Sequence, residues 1–91
     1  MYRGVLSYFP RAIASVAAVS HFGANKYAWK GWQHVPDGID RYSDAMVRHM
    51  LLEGTDEVLD DESGLAHSAH VAWNALARLE LMLREQDGKD N

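Results

Sequence analysis

Three histidines, an asparagine and six acids fall between residues 49 and 74, and their types and spacing are those of phosphate or metal chemistry. The stretch DDESGLAHSAHVAWNAL (60–76) sets His67 and His70 three apart and Asn74 four further on, directly behind a run of acids. Upstream, His49 and Glu53 stand four apart, a spacing that brings both to one face of a helix. Glu53, Asp56, Glu57, Asp60, Asp61 and Glu62 offer hard oxygen ligands of the kind Mg²⁺ or Mn²⁺ takes. Phosphoryl transfer needs such a set, because a divalent ion neutralises charge developing on the phosphate oxygens while a carboxylate or imidazole orients water. The plain alternative is that the histidines are satisfied core groups, that His49 and Glu53 make only a surface contact, and that the acids are a solvated connector. Asp44 and Arg48, four apart on another face, read most simply as an ion pair of a few tenths of a kcal/mol.

The stretch GANKYAWKGWQHVPDG (23–38) offers the other half of a nucleotide site. Tyr27, Trp29 and Trp32 are able to stack on a base, and Lys26 and Lys30 to meet phosphates. The competing use of Trp29 or Trp32 is to plug the edge of the core.

These residues require helices to position them. Pro10 suits a first helical position and Gly23 an end, which predicts a helix over 9–22. The aromatic stretch has no sustained period and reads as a loop with at most one helical turn. Asp40 is the expected N-cap of a second helix over 41–53 that ends at Gly54, and Ser63 the expected N-cap of a third over 64–86, with residues 87–91 as a frayed tail. On the third helix His67, His70 and Asn74 lie within an arc of about 60°, continued by Ala77 and Leu81. Leu65, Ala69, Ala72, Leu76, Leu79 and Leu83 form a nearly opposite stripe. A helix apolar on two sides packs on two sides, so the third helix is expected to be central, within a bundle or between subunits. No strand-like alternation occurs, and the class is all-α: a small bundle of about three helices completed by homo-oligomerisation.

The length of 91 residues fits a single domain spanning 1–91. With no cysteine, neither a disulfide framework nor a thiolate metal site is available. Residues 1–48 hold six Lys/Arg against three Asp/Glu and residues 49–91 three against ten. The basic residues are dispersed instead of forming a stripe, which argues against general nucleic-acid binding. Arg11, Ser15, Ser20 and His21 break up the apolar stretches before they approach the ~20 residues of a membrane span, and the N-terminus bears only a weak likeness to a signal peptide.

The order of FPRAIASVAAVSHFGANKYAWKGW (9–32), RYSDAMVRHML (41–51) and DDESGLAHSAHVAWNAL (60–76) resembles the small, mostly phage-borne dATP/dGTP diphosphohydrolase N-terminal domain, grouped with the MazG-like all-α nucleoside triphosphate pyrophosphohydrolases. The likeness covers about residues 8–84 and is carried by FGANKY (22–27), Trp32, Asp44, Arg48-His49, Glu62-Ser63-Gly64, His67, His70 and Asn74. It implies an oligomeric protein, located in the host cytoplasm, that handles a purine nucleotide with Mg²⁺ or Mn²⁺. On this reading Asp44, Glu53, Asp61 and Glu62 hold metal. His49, His67 and His70 bind phosphate or position water, and Lys26, Tyr27, Trp32, Arg48 and Asn74 hold the nucleotide. The Glu-Glu-x-x-Glu and Glu-x-x-Asp helices that mark the wider MazG-like group do not occur here. Their absence keeps a second expectation open: a non-catalytic sponge that sequesters a cyclic-nucleotide or ADP-ribose-type immune signal.

Overall fold

Helices α1 (Pro10–Lys26), α2 (Gly38–Glu53) and α3 (His67–Asp90) form the framework of the computed structural model, which describes residues 1–90. A short π-type turn (Tyr2–Leu6) precedes α1, and a 3₁₀ turn (Gly31–His34) lies between α1 and α2. The all-α class follows from the 3.6-residue spacing of the apolar positions. Helix α3 packs most extensively on α2 and more lightly on α1, so it occupies the centre. Trp73 Nε1 donates to Ser20 Oγ on α1 at 3.1 Å, and Arg78 Nε donates to Ser43 Oγ on α2 at 2.6 Å.

Each helix boundary that departs from the sequence reading has a local cause. Pro10 does open α1, but Gly23 does not close it, and the helix continues to Lys26. Phe22 packs edge-on against the His70 ring and Lys26 pairs with Glu62, tertiary contacts that outweigh the ~1 kcal/mol penalty of a helical glycine. Helix α2 begins three residues early. Its N-cap is Asp37, in the left-handed conformation (φ 54°), and Asp40 falls in the first turn, where its charge complements the helix dipole. Gly38 permits this start, since a Cβ there would meet Leu81 Cδ1 of α3 at 2.9 Å. Gly54 ends α2 as expected.

Ser63 does not cap α3, which starts at His67. The residues between α2 and α3 instead form a small hairpin-like loop. Leu59 pairs with Ala66 in an isolated antiparallel bridge, Asp60 N–H donates to Leu65 C=O (2.8 Å), and Gly64 N–H donates to Asp60 C=O (2.7 Å). Gly64 takes φ 73°, a conformation that side-chain-bearing residues rarely adopt, so this turn depends on glycine. At the other end, α3 runs past the expected stop at 86 to Asp90, and Asn91 lies outside the described residues.

The buried interior is small and unusually polar. Among the described residues only Val19, Ala69 and Ala77 of the apolar side chains are buried, against His49, His67, His70 and Asn74 of the polar ones. Large apolar side chains remain about half exposed, including Leu76, Leu79 and Leu83 along α3. With Val16, Ser20, Trp32 and Trp73 these leucines line an open groove of about 410 Å³ between α1 and α3. The accessible surface is 6777 Å² for 10.2 kDa, whereas a folded monomer of that mass exposes roughly 5,300 Å².

Candidate functional site

The polar interior lies where α2, α3 and the loop before α3 meet. His49, near the end of α2, faces His67, the first residue of α3, with Nδ1 to Nδ1 at 2.8 Å. The Nε2 of His67 meets Glu57 Oε1 at 3.2 Å, and the His67 side chain is wholly enclosed. One turn along α3, the His70 ring stacks on His49 with centroids 4.4 Å apart and planes 9° from parallel. His70 Nε2 hydrogen-bonds Ser63 Oγ at 2.7 Å and lies 3.8 Å from Asp60 Oδ2. Ser63 ties the loop together: its N–H donates to Asp60 Oδ2 at 2.8 Å, and its Oγ accepts from Leu65 N–H at 3.1 Å.

The outcome is one carboxylate and two imidazoles in convergence. Ligand atoms of His49, Asp60 and His67 all lie within 4.8 Å of one another. Two nitrogens and an oxygen from separate elements fit the donor chemistry of a divalent transition ion. Asp60 is the acid that the loop turns inward, because the left-handed Gly64 reverses the chain and the Ser63 N–H fixes the carboxylate. Sequence reasoning selects Asp61 and Glu62 from the same run. In the structure Asp61 is exposed, and Glu62 is exposed and paired with Lys26.

The remaining expected site residues divide between the rim and other parts of the fold. Glu53 accepts a hydrogen bond from Ser68 Oγ at the surface. Asp44 and Arg48 are both exposed and form no ion pair with each other, in contrast to the sequence expectation. Asn74 is buried beside the histidines, with its Nδ2 donating to His70 C=O at 2.8 Å. Tyr27 is 76% exposed, with the Lys26 ammonium 5.4 Å from its ring centre, so this aromatic is free to stack on a planar ligand. Trp32 is instead engaged with Tyr42 and Trp73 (centroids 6.5 and 6.3 Å), and the Tyr42 hydroxyl donates to its carbonyl. Glu57 and Asp60 stand in the sequence only as two of six candidate acids, neither of them singled out, and Ser63 only as an expected helix cap. The readable signal was Asp60 three residues before Ser63-Gly64, a spacing at which a carboxylate accepts a backbone N–H in a turn.

Burial governs the electrostatics of the cluster. It pushes His49 below the ordinary imidazole range, reinforced by His70, Arg48 and His67 and opposed by Asp60. His70 is also lowered chiefly by burial, with His67 and Arg48 adding to the effect and Asp60 and Glu62 resisting it. For Asp60, burial acts upward but is outweighed by the hydrogen bonds from Ser63 and by His70 and His49, leaving the carboxyl below its usual range. A histidine with a depressed folded pKa contributes stability in full above its unfolded value of about 6.5 and loses it as pH falls through the folded value. Asp60 acts in the same sense at lower pH: its contribution is present above about 3.9 and is lost below. Metal-free protein is therefore expected to melt at a lower temperature at pH 5 than at pH 7.5 in calorimetry. A melting temperature that stays level across that interval would contradict the buried neutral pair.

The described residues form a small helical domain that gives most of its buried positions to histidines and asparagine and aims a carboxylate at them, which makes this cluster its candidate site. More particularly, the chain belongs to the dATP/dGTP diphosphohydrolase N-terminal family, whose sequence profile matches residues 3–91. It is similar to a dATP/dGTP diphosphohydrolase of Salmonella phage PMBT28, with 41% identity over 63 residues covering 69% of this chain and 21% of that protein. The chain thus spans about a fifth of the length of that relative. No solved structure matches it. No helix among the described residues is long and apolar enough to cross a membrane.

Proposed function

We propose that this domain carries the metal and nucleotide site of a purine deoxynucleoside triphosphate diphosphohydrolase. Water would attack a phosphoanhydride of dATP or dGTP, releasing the monophosphate and pyrophosphate. The observation that carries this reading is the convergence of His49, Asp60 and His67. A divalent ion held there would polarise phosphoryl oxygens and lower the pKa of bound water. His70, stacked on His49 and anchored through Ser63 to Asp60, keeps the cluster from relaxing. Lys26 at the rim supplies positive charge for the phosphates once it leaves Glu62, and Tyr27 a face for the base. Arg48 adds a second exposed cation next to His49. The reaction would take place in the cytoplasm of the host cell.

A non-catalytic sponge is favoured by one specific feature: no buried side-chain nitrogen or oxygen lacks a hydrogen-bond partner among the described residues, so the cluster is internally complete. Such a domain would sequester a nucleotide signal through Lys26 and Tyr27. Homo-oligomerisation is supported by the half-exposed leucines of α3 and by the excess of accessible surface over a monomer of this mass.

One sample tests these readings. Purified chain incubated with dATP or dGTP and Mn²⁺ is expected to release one pyrophosphate per nucleotide, and light scattering to return a multiple of 10.2 kDa of at least two. Intact triphosphate after prolonged incubation, recovered on heat denaturation, would replace the hydrolase by the sponge. A mass of one chain would remove the oligomer.

A further inference from the structure

We infer that Glu57 is a positioning residue that fixes His67 as a metal ligand through the Nδ1 lone pair, and that the site so built takes a transition-metal dication of the Mn²⁺, Co²⁺ or Zn²⁺ class in preference to Mg²⁺. The inference deepens the metal reading above and rests on it.

The first step is the proton on His67. A carboxylate only accepts hydrogen bonds, so the contact between Glu57 Oε1 and His67 Nε2 places the proton on Nε2. A neutral imidazole then bears its lone pair on Nδ1, the atom that faces His49. His67 is wholly enclosed and cannot turn over to exchange its nitrogens without disrupting its surroundings. With the His67 Nδ1 bearing a lone pair, the 2.8 Å contact makes a neutral His49 the donor, with its proton on Nδ1 and its Nε2 bare. Transfer of that proton to Nε2 would leave a lone pair on each Nδ1, on facing rings that belong to one group with Asp60, without any change in charge. Bonds of about 2.1 Å to one tetrahedral ion would hold the two nitrogens about 3.4 Å apart, so the rings would have to separate by roughly 0.6 Å. Carboxylate, imidazole and metal in that order is the arrangement that fixes a ligating histidine's tautomer and raises its basicity.

The second step is the choice of ion. Magnesium prefers oxygen donors in strict octahedral geometry and gives up its waters reluctantly. Here two of the three converging donors are imidazole nitrogens, and both histidines are buried, at 6% and 0% exposure. Imidazole favours the borderline first-row transition ions, and affinity among them rises from Mn²⁺ through Co²⁺ to Cu²⁺ and falls back at Zn²⁺.

The test uses the metal alone. Titration of the wild-type protein with Co²⁺ is expected to show one site per chain with a visible d–d spectrum, which Zn²⁺ displaces and a thousandfold excess of Mg²⁺ does not. Glu57→Gln is expected to weaken Co²⁺ binding by about 10–100-fold with the metal-free melting curve little changed. ¹⁵N imidazole shifts of the metal-free wild type should show His67 protonated on Nε2, a measurement that stands even if the variant folds poorly. Cobalt affinity unaltered by Glu57→Gln, displacement by Mg²⁺, or a proton on His67 Nδ1 would each overturn the inference. Pyrophosphate release with Mg²⁺ as the sole cation would overturn it while leaving the hydrolase reading intact. Cobalt binding as expected without cleavage of any triphosphate would uphold it and end the hydrolase reading instead.

Discussion

Asp60→Asn is expected to reduce pyrophosphate release from dATP or dGTP by at least about a hundredfold, corresponding to ~2.7 kcal/mol of transition-state stabilisation, while leaving the fold in place. The amide oxygen of Asn is still able to accept the Ser63 N–H now bound by Asp60 Oδ2, so the turn through Gly64 keeps its shape. What disappears is the negative charge beside His70, on the carboxylate that, among the described residues, converges with both His49 and His67. A metal ion matters most when charge develops on the phosphoryl oxygens, so its ligand affects turnover more than ground-state affinity. Nucleotide affinity of Asp60→Asn should therefore stay within about tenfold of wild type, ~1.4 kcal/mol. Asp61→Asn and Glu62→Gln serve as the comparison. Asp61 is exposed, and the Lys26–Glu62 pair has side chains 43% and 58% exposed, so its loss has little effect on stability. Steady-state assays in which Asp60→Asn retains activity and Asp61→Asn or Glu62→Gln abolishes it would place the metal on the exposed acids and sink the cluster.

That contrast also shows what a sequence makes legible here. The three helices, their order and the central place of α3 follow from periodicity, from Pro10 and from Gly54. The His67, His70 and Asn74 stripe is visible because helical phase is a local property. The choice of Asp60 over its neighbours is not local: it depends on a left-handed Gly64, on the Leu59–Ala66 bridge, and on a serine that serves the loop instead of capping the helix. The early start of α2 was hidden for a related reason, since Gly38 reads as a loop residue until Leu81 is seen packed against it. The role of Trp32 was undecidable between base stacking and core packing, because that depends on Tyr42 and Trp73, ten and forty-one positions further along the chain. Residues whose role is set by their own helix were readable, and residues whose role is set by a distant partner were not.

His67→Ala is expected to lower the melting temperature more than any other single change in the cluster. The side chain is fully enclosed, so its removal opens a cavity, and it strips His49 Nδ1 of its partner inside a buried site. An orphaned buried donor costs about 1–3 kcal/mol, and the cavity adds to that. A total near 3 kcal/mol corresponds to a fall of roughly 10–25 °C for a domain of this size. Destabilisation alone leaves open whether the pair exists for stability or for its ligand. His49→Leu combined with His67→Leu decides between them, because replacing both partners by apolar groups of similar size removes the unsatisfied donor along with the hydrogen bond. Glu57, whose side chain is 40% exposed, is solvated in that variant and adds no buried orphan. If the histidines are kept for their ligand, the double variant should melt within a few degrees of wild type or above it, yet bind no Co²⁺ and release no pyrophosphate. Were the double variant to lose as much stability as the two single Leu substitutions together, the pair would be a structural element, and its place beside Asp60 would not mark a site.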